Sequence, residues 1–239
     1  MNSHWFIWKG KNSISDFGLW VRKLPKRTRP KERYEEIVIP GRAGSLTLKE
    51  GEDVYSAYSS EMTVSCKNTI NLDRVKEWLR GSGELILSDD QEKAYIAQIV
   101  DEVSFDREDK DKLFIGTIPI LFQPFRKGRF PERDERVTFS TSSETLYNPG
   151  DVASRPIVRI LGSGHNEITI AGQTMVFDDL PGISGYPVEV DCDAQIVTRN
   201  GAIWTKSVTG NFWRIPKGEV AVTQTGSSAI MIDPQWRWL

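Results

Sequence analysis

Lys112-Leu113-Phe114-Ile115-Gly116-Thr117-Ile118-Pro119-Ile120-Leu121-Phe122 is the stretch that decides the fold. Side chains alternate across a strand, so Phe114, Ile118, Ile120 and Phe122 share one face and Leu113, Ile115 and Leu121 take the other. Both faces are apolar, and both therefore demand a cover. Upstream, residues 94–105 form a matching arm. The charged run Asp106-Arg107-Glu108-Asp109-Lys110-Asp111 joins the two. The expected element is a long β-hairpin over residues 94–122. Such a surface does not end in water, so either its own domain or a neighbouring chain must lie over it.

Working outward toward the amino terminus, Trp5-Phe6-Ile7-Trp8 reads as a first strand, and the apolar pattern resumes at residues 17–21. Residues 22–33 hold seven basic side chains and two prolines, which excludes a helix and predicts an exposed loop. Residues 35–39 run as a strand into the turn Pro40-Gly41-Arg42-Ala43-Gly44. Leu46-Thr47-Leu48 and residues 62–66 alternate as half-buried strands. One helix is predicted: Asn71 caps it, and Leu72, Val75, Trp78 and Leu79 fall on one face. Arg80 and Gly81 suit its end, and Trp78 is the expected anchor against a sheet.

Beyond the hairpin, residues 131–153 are charged, then Ser/Thr-rich, then Asn148-Pro149-Gly150, and read as a linker. From residue 154 onward short strands alternate with turns, including Asn200-Gly201 as a two-residue hairpin turn. The expected architecture is mainly β with one short α-helix. Residues 1–130 form a β-sandwich-like domain and residues 154–239 an antiparallel β-sandwich.

The full chain of 239 residues balances 31 basic against 33 acidic side chains, a net charge of −2 that argues against a dedicated nucleic-acid binder. No apolar run reaches the length of a membrane span or a signal-peptide core, so no membrane insertion is expected. Cys66 and Cys192 stand far apart and read as packed thiols. His4 and His165 match no metal-ligand spacing, so no metal and no cofactor are expected. His165 near Ser163 lacks a third partner for nucleophilic catalysis. The paired acids Asp89-Asp90, Asp178-Asp179 and Asp191/Asp193 read as turn carboxylates. No catalytic residue is assigned. Trp204 and Trp213 are candidates for stacking on sugar rings in an alternative, lectin-like reading, against a default of buried tryptophan.

Several short motifs stand in a fixed order. They are Lys11-Asn12-Ser13-Ile14-Ser15-Asp16-Phe17-Gly18-Leu19, Ile39-Pro40-Gly41-Arg42-Ala43-Gly44 and Trp78-Leu79-Arg80-Gly81-Ser82-Gly83-Glu84-Leu85. Gln123-Pro124-Phe125, Asn148-Pro149-Gly150 through Arg155-Pro156, and Ile160-Leu161-Gly162-Ser163-Gly164 follow. In this order and spacing the chain resembles the distal tail proteins of siphophages along essentially its whole length. The resemblance implies a homo-hexameric ring built by the first domain and a galectin-like or carbohydrate-module-like sandwich at the carboxyl end. It implies a hub at the virion tail tip, assembled in the host cytoplasm. Its partners would be the tail tube protein, a tail-associated hub or fibre protein and a receptor-binding protein, with DNA met only in passage. Within that frame Pro40, Gly41, Arg42, Gly44, Phe114, Ile118 and Ile120 are the expected ring-interface residues. Lys26, Arg27 and Arg29 are expected to dock another tail protein.

Overall fold

The computed structural model describes residues 4–67, 69–100, 102–108, 112–129, 137–140, 142–182, 185–204, 207–226 and 228–239. The chain divides into two units, residues 1–129 with Leu239 and residues 130–238. Asp109-Lys110-Asp111 at the hairpin tip and residues 131–136 of the expected linker lie outside the described residues.

In the first unit, alternating apolar residues build β1 (Phe6–Trp8), β2 (Lys11–Asn12), β3 (Leu19–Lys23), β4 (Tyr34–Val38), β5 (Ser45–Lys49) and β6 (Tyr58–Lys67). After α1 (Leu72–Trp78) come β7 (Gly81–Leu87), β8 (Asp90–Ile99), β9 (Ser104–Glu108) and β10 (Leu113–Gly128). The main sheet runs β2-β1-β7-β8-β10-β6-β3, with β9 also on β10. A bridge between His4 and Val21, with the Val21 N–H donating to the His4 carbonyl at 3.1 Å, joins the two ends. The sheet thus curls around one core that holds Phe6, Trp8, Leu19, Val64, Leu85, Ile118, Ile120 and Phe122.

The helix forms where the sequence placed it. The Asn71 side-chain oxygen accepts from the N–H groups of Asp73 and Arg74, supplying two of the orphan donors at its start. It stops at Trp78, and Gly81, at φ +72°, instead opens β7. Trp78 is the anchor: it stacks on Phe17 at 4.0 Å and on Phe6 at 5.4 Å. Trp8 and Trp78 also each donate an indole N–H to the other's backbone carbonyl at 3.1 Å, tying helix to sheet.

The long hairpin differs from the expectation in one respect. Its first arm is split into β8 and β9, both antiparallel to β10. Pro119 accounts for the split. It carries no N–H, and it sits where β10 changes partner, between Thr117↔Ser104 and Ile120↔Ile99. Farther along, the register shifts between Phe122 and Arg126, an interval that contains Pro124.

The second unit is an antiparallel sandwich. One sheet contains β11 (Val137–Phe139), β13 (Ile157–Leu161), β16 (Val188–Asp191), β17 (Ile196–Arg199), β18 (Ala202–Ile203) and β21 (Ala229–Asp233), ordered β11-β21-β13-β16-β17-β18. The other contains β12 (Ser143–Asn148), β14 (Ser163–Ile170), β15 (Gln173–Pro181), β19 (Val208–Gly210) and β20 (Gly218–Thr225), ordered β12-β20-β14-β15-β19. Inward residues such as Val158, Ile160, Ile168, Phe177 and Ile230 fill the space between. Asn200 and Gly201 take φ of +50° and +75°, the left-handed pair that a tight β17–β18 turn requires.

The expected linker over 131–153 needs correction, because β11 and β12 belong to the two sheets of the sandwich. Phe139 and Leu146 lie in its core. Asn148, read as part of a turn, is fully buried. Its amide donates to the carbonyls of Val152 and Ile215 and accepts from the Gly150 N–H at 2.8 Å. Gly150 has to be glycine, since a Cβ there would lie 2.6 Å from the Arg237 carbonyl.

Candidate functional site

The chemistry-bearing residues of the second unit are engaged with one another. His165 meets Asp178 at 3.0 Å and Glu167 at 3.5 Å on the exposed side of β14 and β15. The Asp191 carboxylate accepts from the backbone of Asp193 and Ala194, and Asp193 pairs with Arg155 and Arg237. Asp89 pairs with Arg27 and Asp90 with Arg126, each at 2.8 Å. Among the described residues no group of three His, Cys, Asp or Glu side chains could hold a metal ion. Both cysteines are buried, and burial pushes the Cys192 thiol up to about 12.

Of the two candidate tryptophans, Trp213 is a core residue and Trp204 is a partly buried neighbour of the core. Trp213 is 1% exposed and gives its indole N–H to the Gln173 carbonyl at 3.0 Å, so no ring face is left for a sugar. Trp204 packs against the same core, its ring parallel to that of Phe177 at 6.5 Å.

Of the expected interface residues, Ile118 and Ile120 point into the core of their own unit and are fully buried. Phe114 packs against that core as well. Ile118 and Ile120 offer no surface to a neighbour, and Phe114 is partly covered by its own unit. The outward face of β10, with Leu113, Ile115 and Leu121, is half-buried by the chain itself. A cover inside the domain, one of the two possibilities the sequence left open, is complete for the inward face with Ile118, Ile120 and Phe122 and partial for the outward one.

The turn residues Pro40, Gly41, Arg42 and Gly44 are placed very differently. They cap an arm made of β4 and β5, which form a two-stranded sheet of their own. Gly41 and Gly44 sit at φ +84° and +82° with open space around them, so their backbone conformation is what calls for glycine. The base of the arm is fastened: Arg33 pairs with Glu50 at 2.7 Å, Lys49 with Glu32 at 2.8 Å, and the Arg33 N–H donates to Val54. Its length is bare. Register pairs Ile37 with Leu46 and Glu35 with Leu48, placing Ile37, Leu46 and Leu48 on one face. Leu48 is 46% exposed and, on the opposite face, Val38 is 77% exposed. Leu46 and Leu48, 37% and 46% exposed, keep much of their apolar surface in solvent, and their alternation suggested such half-burial. An isolated two-stranded hairpin is barely stable in water, and bare apolar strand faces mark a contact surface.

Lys26, Arg27 and Arg29 lie on a strap between β3 and β4. Pro25 and Pro30 are buried at its two ends, and the four residues between them are exposed. The Lys26 N–H is held by the Ser60 hydroxyl at 2.9 Å.

No protein-family model matches this chain, and no curated protein does. Among solved structures, it resembles the Dit protein of phage SPP1, described as a paradigm of the hub adsorption apparatus in phages infecting Gram-positive bacteria. The likeness has a TM-score of 0.67 at 15% identity, over 96% of this chain and 97% of that one. The chain therefore shares the fold of that protein over 96% of its length.

Proposed function

We propose that the protein is a structural hub of a phage tail tip. In this reading six copies close into a ring around the genome channel, and the ring joins the tail tube to the baseplate or fibre proteins. The observation that carries it is the bare β4–β5 arm on a chain whose whole length follows the fold of a tail hub protein. A closed rotational ring has a physical logic here. Each arm reaches a different surface on the next copy, so heterologous contacts cover every arm once the circle closes. In this reading Ile37, Leu46 and Leu48 form the interface with the turn Pro40, Gly41, Arg42 and Gly44, while Ile118 and Ile120 belong to the core and Phe114 packs, partly buried, against it. Light scattering over a range of concentrations, with electron micrographs of the same samples, tests the reading. Rings of six are expected. A monomer at every concentration, with added tail tube and fibre proteins failing to assemble it, would sink it.

A further inference from the structure

The strap between β3 and β4 has features that a loop merely crossing a sheet does not need. Extended backbone sends alternate side chains to opposite sides, and the strap follows that rule. Lys26 lines a cleft of about 420 Å³ with Lys23, Ser59, Ser60 and Glu61. Arg27 and Arg29 line a second, of about 270 Å³, with Tyr58, Tyr95 and Arg126. Thr28 borders both. Among the described residues Lys23, Lys26 and Arg29 have no ion-pair partner, and the N–H groups of Arg27, Thr28 and Arg29 donate to nothing. The buried Pro25 and Pro30 fix both ends, so these donors are held in place before anything binds.

We infer that this strap is a docking site for an acidic, extended peptide segment of a partner protein. Such a segment would run along residues 26–29 and place carboxylates on Lys26 at one side and Arg29 at the other. The free backbone N–H groups would pair with its main chain, as in strand addition. Protein fits this surface better than nucleic acid. Glu61 stands in the first cleft, and Asp89 and Asp90 are paired with arginines of the second. An unbroken row of phosphates would meet those acids. A peptide can set neutral residues opposite them.

This inference rests on the hub reading for having a protein partner at all, and its test separates the two. The full chain is titrated with an end-labelled hexaglutamate peptide, with hexaglutamine and a short DNA duplex as comparisons, and assembly is read in the same samples. Hexaglutamate should bind, hexaglutamine should not, and added salt should weaken the complex. Lys26→Glu with Arg29→Glu should reduce affinity about tenfold or more while assembly is unchanged. Glu61→Gln should raise affinity about two- to threefold by removing the one opposing carboxylate of the first cleft. Absence of binding at millimolar peptide, tighter binding of the duplex, or indifference to the strap substitutions would each overturn the proposal. Peptide binding by a chain that forms no ring, alone or with added tail tube and fibre proteins, would leave the strap standing and the hub reading refuted.

Discussion

Two stretches of the first unit carry the same apolar alternation and end in opposite surroundings. On β10, Ile118, Ile120 and Phe122 are sealed by the chain itself, with β6 along one edge and β8 and β9 along the other. On β4 and β5, Ile37 pairs with Leu46 and Leu48 with Glu35, and the two strands pair with nothing else in the sheet system. Alternation states that a face will be covered but is silent about which molecule covers it. The deciding factor is the number of strand neighbours. β10 is long enough to gather three, whereas the arm is joined to the body by a proline-containing strap and by Glu50 through Ser56, and so stands alone. Burial inside the chain therefore gives stability, and burial by another copy gives assembly. Substitutions in the two stretches should separate these outcomes.

The largest effect is expected on β10. Phe122 is fully buried, stacked on Tyr58 at 5.2 Å and edge-on to Tyr95 at 5.0 Å. Phe122→Ala should cost about 3–5 kcal/mol of unfolding free energy in urea titration. A loss below about 1 kcal/mol would mean that β10 is not the sealed strand described here.

A smaller effect should appear at high pH, and it compares the two units. Burial raises the Cys192 thiol from 9.0 to about 12 and the Tyr58 phenol from 10.0 to about 12. In both cases the folded state holds its proton more tightly than the unfolded state. The associated stability is therefore complete below the unfolded pKa and is lost as pH climbs toward 12. Replacing Cys192 with Ala should remove the second unit's share. Wild type should lose up to about 2 kcal/mol more than Cys192→Ala between pH 8 and about pH 11. Equal losses in the two proteins would show that the thiol is not sealed in the sandwich core.

Much of this was legible in the sequence, and the rest was hidden for identifiable reasons. The α1 cap at Asn71, the anchoring role of Trp78, the β10 alternation and the Asn200-Gly201 turn are all local, fixed by residues within a few positions of one another. Partner choice is not local. Nothing near residues 131–153 marks β11 and β12 as strands, because the β21 and β20 edges they complete lie about 70 to 95 residues away. Asn148 looked like turn chemistry because its partners Val152 and Ile215 come together only in the fold. The ring-interface assignment split for the same reason. The turn Pro40-Gly41-Arg42-Ala43-Gly44 is exposed, whereas Ile118 and Ile120 are not, and their spacing could not tell one from the other.

The smallest effect on stability should come from the arm, and it is the most diagnostic. Leu46→Ser with Leu48→Ser removes partly exposed apolar side chains that lie outside both cores, so the unfolding free energy of the isolated chain should change by less than about 1 kcal/mol. Their strand partners Ile37 and Glu35 stay paired through the backbone, so the arm itself should persist. The same variant should fail to form rings, because the surface taken away is the one a neighbour would bury. Phe122→Ala should show the reverse, a weakened fold that still assembles wherever it remains folded. If the leucine variant instead lost several kcal/mol as a monomer, the arm would have to be covered by its own chain, and the contrast with β10 would vanish. If it kept both its stability and its rings, the arm would be irrelevant to assembly and the interface would have to lie elsewhere on the first unit.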